Sequence, residues 1–219
     1  PASWTISSPA GGETFYDLTI KNTNPGGTVT ANGGIQITHA RTLRITAGIF
    51  DMQSNTLTQI SGAGNFTATG GELRMAKLGV TLPELTGTYN ITGGTITFNG
   101  TGAQTIRSLN VSPANYNHIT LSGVGTKTLA GNIAVRGDWT NSGSTLAGAF
   151  TVSFTGTGTQ TITNTAGENF NSVTVNTTGP LTLSAATDIT ISNTLTMTSG
   201  SINLNGRTLQ LGSGAGATL

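Results

Sequence analysis

Cysteine is missing from the 219 residues, which excludes disulfides and thiolate metal sites. Charge is scarce: nine basic and eight acidic side chains make up 8% of the chain and leave a net charge of +1. Lys and Arg are scattered singly, so there is no basic footprint for nucleic acid or for an anionic membrane surface. No apolar run approaches the roughly 20 residues that span a bilayer as a helix, so neither a nucleic-acid partner nor membrane insertion is expected. Aromatics are 5% of the chain, and no segment shows a helical 3.6-residue period. The opening, PASWTISSPAGG, has neither a charged n-region nor an apolar h-region, so the chain is expected to be a mature form or an internal piece.

What fills the chain instead is threonine, 44 residues, and glycine, 32 residues. Thr, Val and Ile favour strands, and Gly and Asn favour turns. Such a chain reads as all-β with many tight corners. It also repeats. TLRITAGIFDMQSNTLTQISGAG (42–64) and TLTMTSGSINLNGRTLQLGSGAG (194–216) align without a gap and share ten identities. FNGTGAQTI (98–106) and FTGTGTQTI (154–162) share seven of nine. The pattern aromatic-x-x-aliphatic-Thr-aliphatic begins at Phe15, Tyr116 and Phe170.

A shorter beat runs inside these blocks. Gly48, Gly71 and Gly94 are 23 residues apart, and so are Leu43, Phe66 and Tyr89. Apolar residues alternate with polar ones on both sides of each glycine, the mark of a strand with one buried face. A fixed longer period means that each unit stacks on the next. The prediction is one continuous domain over 1–219, a parallel β-helix (β-solenoid). It has about 23 residues and three short strands per coil, right-handed by the rule for parallel crossovers. Nine or ten coils at about 4.8 Å each give a rod roughly 45 Å long. An antiparallel β-sandwich is the runner-up. Phe50, Met52, Phe98, Phe154, Val175, Met197, Ile202 and Leu204 are among the residues expected to point inward. Phe98 and Phe154 are expected to fill equivalent positions about two coils apart. Segment 107–150 reads as the least regular. No polar cap follows the last repeat, so the chain is expected to continue into further coils or to stack end to end on other copies.

The string F-x-G-x-G-x-Q-T-I, followed by aromatic-x-x-[LIV]-T-[LIV], resembles repeats in very large exported and cell-surface proteins of Bacteroidota. Those proteins are often adhesin-like, and many carry a type IX secretion sorting domain. The likeness spans most of residues 12–216. It implies an extracellular or bacterial cell-surface location and a structural or adhesive role, with flanking coils or end-to-end copies as partners and glycans as a further candidate.

No motif for catalysis is found. A nucleophile elbow and a Walker loop are missing, and the Gly-rich corners precede no helix. His39 and His118 stand apart from each other and from any metal-ligand spacing. Asp51, Asp138 and Asp188 do not recur in register as calcium turns do. We therefore expect no catalytic residue, cofactor or metal. Asp51 and Glu72 could be neighbours on adjacent coils, which leaves a carbohydrate-acting or carbohydrate-binding β-helix as an alternative. Asp51 is in register with Arg74, however, and a surface ion pair there is the simpler reading. Thr46, Thr69 and Thr92 form an outward column that could contact a regular surface such as ice or a crystalline polysaccharide, the third reading.

Overall fold

The computed structural model describes residues 2–7, 12–79, 83–109 and 115–212. Its strands run in chain order through three faces of each coil. They are β1 (Trp4–Ile6), β2 (Glu13–Phe15), β3 (Leu18–Lys21), β4 (Thr28–Ala31), β5 (Ile35–Ile37), β6 (Thr42–Ala47), β7 (Ile49–Asp51) and β8 (Leu57–Gln59). Then come β9 (Asn65–Met75), β10 (Tyr89–Phe98), β11 (Gln104–Ile106), β12 (His118–Leu121), β13 (Thr126–Leu129), β14 (Ile133–Val135), β15 (Trp139–Asn141) and β16 (Thr145–Ala147). β17 (Thr151–Phe154), β18 (Gln160–Thr163), β19 (Glu168–Leu183), β20 (Ile189–Asn203) and β21 (Leu209–Leu211) complete the set. Every strand pair is parallel, and the stack makes about nine coils about 22 residues apart. The sandwich is thereby excluded, and the solenoid stands.

The first ladder contains β3, β6, the start of β9 and β10, β14, β17 and the middle of β19 and β20. The second holds β1, β4, β7, the ends of β9 and β10, β12, β15, β18 and the last part of β19 and β20. The third is interrupted: β2–β5–β8, then β11–β13–β16, then the openings of β19 and β20 with β21. Inward side chains stack coil on coil. Leu43 lies over Phe66 and Phe66 over Tyr89 on the first ladder, while Phe50, Leu73, Ile96, Ile119, Trp139 and Ile162 form one file on the second. Trp139 and Phe170 meet edge to face at 5.4 Å, and Phe154 and Phe170 at 6.1 Å. Such contacts specify packing beyond area alone.

The glycine column is real. Gly48, Gly71 and Gly94 have φ of 76°, 68° and 75°. A Cβ on Gly71 would stand 2.6 Å from the Gly48 carbonyl oxygen, and one on Gly94 would stand 2.6 Å from that of Gly71. Only glycine fits both the left-handed backbone and the close approach of the coil beneath.

Four expectations need correction. Met197 and Leu204 are 41% and 38% exposed rather than inward: among the described residues, only Ile189–Ile191 of β20 is covered by a further strand, β21. Segment 107–150, where described, is not irregular. Its residues 115–150 hold the tightest coils, with Ile119 over Trp139 and Val135 under Phe154. A coil of about 20 residues is invisible to a 23-residue template. Phe98 and Phe154 are both buried but are not equivalent. Phe98 ends a second-ladder strand over Leu121, whereas Phe154 ends a first-ladder strand between Val135 and Val175. The 56-residue repeat is thus turned by one face. Finally, Asp51 does lie in register with Arg74, but the Arg74 guanidinium reaches along its own strand to Glu72 at 2.9 Å.

The repeated nonapeptide nevertheless builds the same corner twice. Gln104 Oε1 accepts the Gly100 N–H at 2.8 Å, and its Nε2 donates to the Met75 and Lys77 carbonyls of the coil beneath. Gln160 Oε1 accepts the Gly156 N–H at 2.7 Å, and its Nε2 donates to the Val135 and Gly137 carbonyls. Each buried amide satisfies backbone groups that a tight turn would otherwise leave unpaired. Lys127, in register with Gln104, also satisfies a corner carbonyl. Its buried Nζ donates to the Gly100 carbonyl at 2.7 Å, and burial pulls its pKa down.

Candidate functional site

Outward side chains form files, because neighbouring coils repeat every ~4.8 Å and successive outward residues along a strand lie about 6.7 Å apart. The expected column of Thr46, Thr69 and Thr92 sits at the corner between the first and second ladders, where the register shifts around Gly93. Thr46 is half-buried and donates its hydroxyl to the Ile20 carbonyl at 3.3 Å, whereas Thr69 and Thr92 are exposed.

A longer array lies on the second ladder. One file runs Thr97, Thr120, Thr140, Thr163. Beside it, Thr95 pairs with His118 and Thr161 with Thr182, and Asp138 occupies the coil between these two pairs, its carboxylate 3.4 Å from His118 Nδ1. The hydroxyls of Thr95, Thr120, Thr140, Thr161, Thr163 and Thr182 engage no other group among the described residues. Thr97 is the exception: it donates to Glu72 Oε1 at 2.6 Å. A 23-residue reading missed this array because the step from Thr120 to Thr140 is 20 residues rather than 23. A Thr-x-Thr search, finding Thr95/Thr97 and Thr161/Thr163, would have marked two of its coils.

The centre of the array is a His–Asp pair. The Asp138 backbone N–H donates to His118 Nδ1 at 2.8 Å, which leaves the other ring nitrogen to carry the proton in the neutral form. Asp138 Oδ1 is taken by the Thr161 N–H at 2.8 Å. The two acids weighed as a carbohydrate-cleaving pair are engaged elsewhere: Glu72 binds Arg74 and Thr97, and Asp51 Oδ1 accepts the Gln53 N–H at 2.8 Å. No group of three or more potential metal ligands occurs among the described residues.

Under the same part of the rod lies a buried carboxylate. Glu168 is 2% exposed. Its Oε2 accepts Trp139 Nε1–H at 2.8 Å, Asn141 Nδ2–H at 2.9 Å and Asn164 Nδ2–H at 3.4 Å, and Oε1 accepts the Asn169 N–H at 3.2 Å. Burial raises its pKa, and the four N–H donors pull the other way without cancelling it.

The arrangement defines a class, a parallel β-solenoid that carries a hydroxyl-bearing ladder. Set against protein-family models, curated proteins and solved structures, the chain matches none of them.

Proposed function

We propose that the chain is a structural and adhesive segment of a secreted or cell-surface protein, without catalysis of its own. The observation that carries this reading is the second ladder, where six unengaged threonine hydroxyls lie in two adjacent files of a parallel stack, one file holding His118 and Asp138 at its centre. Neutral hydroxyls both donate and accept hydrogen bonds, so a regular array of them suits an extended, uncharged, hydroxylated surface. The resemblance to repeats of large exported Bacteroidota proteins supports the location and the spacer role. The test is retention of protein-coated beads on cellulose and agarose surfaces under flow. Beads bearing the wild type should be held, and the triple variant Thr120→Val, Thr140→Val, Thr161→Val should release them with its circular dichroism unchanged. Equal retention of the two would overturn the reading.

Ice binding has one observation in its favour, the adjacency of the two threonine files, and thermal hysteresis would reveal it. His118 and Asp138 place ionisable groups in the middle of the array, so we rank a hydroxylated solid first.

A further inference from the structure

The third ladder is broken between β16 and β19: β16 pairs with β13 and with no later strand. Two glycines bracket β16, Gly143 with φ 116° and Gly148 with φ 112°. The break leaves a trough. One cavity of about 240 Å³ lies between Thr145 and Glu168. It shares Leu146 and Asn169 with a second of about 200 Å³. That one shares Asn171 with a third of about 330 Å³, which extends round the corner onto the first ladder. The combined space is of the order of a small-ligand site.

The chemistry of the trough is specific. No charged side chain lines the second or third cavity, and the one acid at the first, Glu168, already accepts four N–H groups. The floor is apolar, with Leu129, Leu146 and Val152. Phe150 stands at the rim, 38% exposed. Around it are amides: Asn169 and Asn193 side chains engage no other group among the described residues, and the Asn171 side chain uses only its Oδ1, which accepts the Ser172 hydroxyl at 3.2 Å. Each free amide offers a donor and an acceptor. A sugar ring has the complementary make-up, with C–H faces for an aromatic platform and hydroxyls for amides.

We propose that the trough between β16 and β19 binds a neutral oligosaccharide, with Phe150 as the stacking platform and Asn169, Asn171 and Asn193 as its hydroxyl readers. This deepens the adhesive reading by naming a ligand class, and it stands on residues separate from the threonine array. The test is calorimetric titration of the protein with cellohexaose, xylohexaose and mannohexaose, with trigalacturonic acid as the charged control. At least one neutral hexaose should bind. Phe150→Ala and Asn169→Ala should each weaken it by about tenfold, the scale of a lost aromatic or amide contact. The triple valine variant of the second ladder should bind as the wild type does. Failure of all three neutral hexaoses, preference for the acidic control, or affinity unmoved in both trough variants would overturn the proposal. Equal bead retention by the wild type and the triple valine variant, with hexaose binding intact, would count against the array and leave the trough standing.

Discussion

Replacing Glu168 should separate the cost of a buried charge from the value of its hydrogen bonds. In Glu168→Gln the side-chain oxygen can take the place of Oε2 and keep the Trp139, Asn141 and Asn164 donors. The new amide nitrogen then faces the Asn169 N–H, and a bond now 3.2 Å long is lost, at about 0.5–1.5 kcal/mol. Against this, the variant no longer carries a desolvated carboxylate at neutral pH. Near neutrality we expect Glu168→Gln to be as stable as the wild type or slightly more so. Glu168→Ala is different: it strips the acceptor from the buried Trp139 Nε1–H and opens a cavity, at a cost of about 3–5 kcal/mol. The pH dependence gives the sharper comparison. A carboxyl whose pKa is higher folded than unfolded holds its proton longer in the native state. Its contribution is full below the ordinary carboxyl range and is lost as pH rises through the folded value. Urea unfolding followed from pH 4 to 8 should therefore show the wild type losing stability relative to Glu168→Gln as pH rises. If the wild type instead gains on the Gln variant over that window, the four N–H donors outweigh burial and the reasoning is wrong.

Three further outcomes are expected. Gly71→Ala should cost about 3 kcal/mol or more, because its Cβ meets the Gly48 carbonyl at 2.6 Å with no side chain to give way. Gly26→Ala, at φ 69° with open space around it, should cost only about 1 kcal/mol, and urea midpoints compare the two. Gln104→Leu and Gln160→Leu each unpair a glycine N–H and two carbonyls, and each should cost about 2–4 kcal/mol. Equal penalties, within ~1 kcal/mol by chemical denaturation, would show that the two corners are energetically alike. Ala40 is exposed at φ 55° in the turn closed by the Arg41 N–H on the Thr38 carbonyl. Ala40→Gly should raise stability by about 0.5–1 kcal/mol, visible as a higher melting temperature.

The solenoid was legible because its coils from Leu43 to Tyr89 keep one length: Leu43, Phe66 and Tyr89 announce their own register. The inward alternation around Phe50, Leu73 and Ile96 follows from the same beat. Legibility failed where coil length changed. Between Tyr116 and Phe154 the coils tighten, and the threonine array crosses that stretch, so a constant spacing pointed instead to Thr46, Thr69 and Thr92. The identity of FNGTGAQTI and FTGTGTQTI correctly signalled one local structure. It could not signal on which face that structure sits, because a corner is defined by short-range bonds such as those of Gln104 and Gln160, whichever two faces it joins. Glu168 was hidden for another reason. Nothing in ENFNS distinguishes a buried carboxylate from an exposed one until Trp139 and Asn141 are brought over it from the coil below.

The displacement of the nonapeptide from one edge of the coil to the next has a consequence for growth. Copying a 56-residue block lengthens this rod by about two and two-thirds turns, and the interior closes all the same. Whatever the block wears on its outside is thereby carried a third of the way around the axis. A chain of this kind can aim an old decoration in a new direction simply by duplicating it.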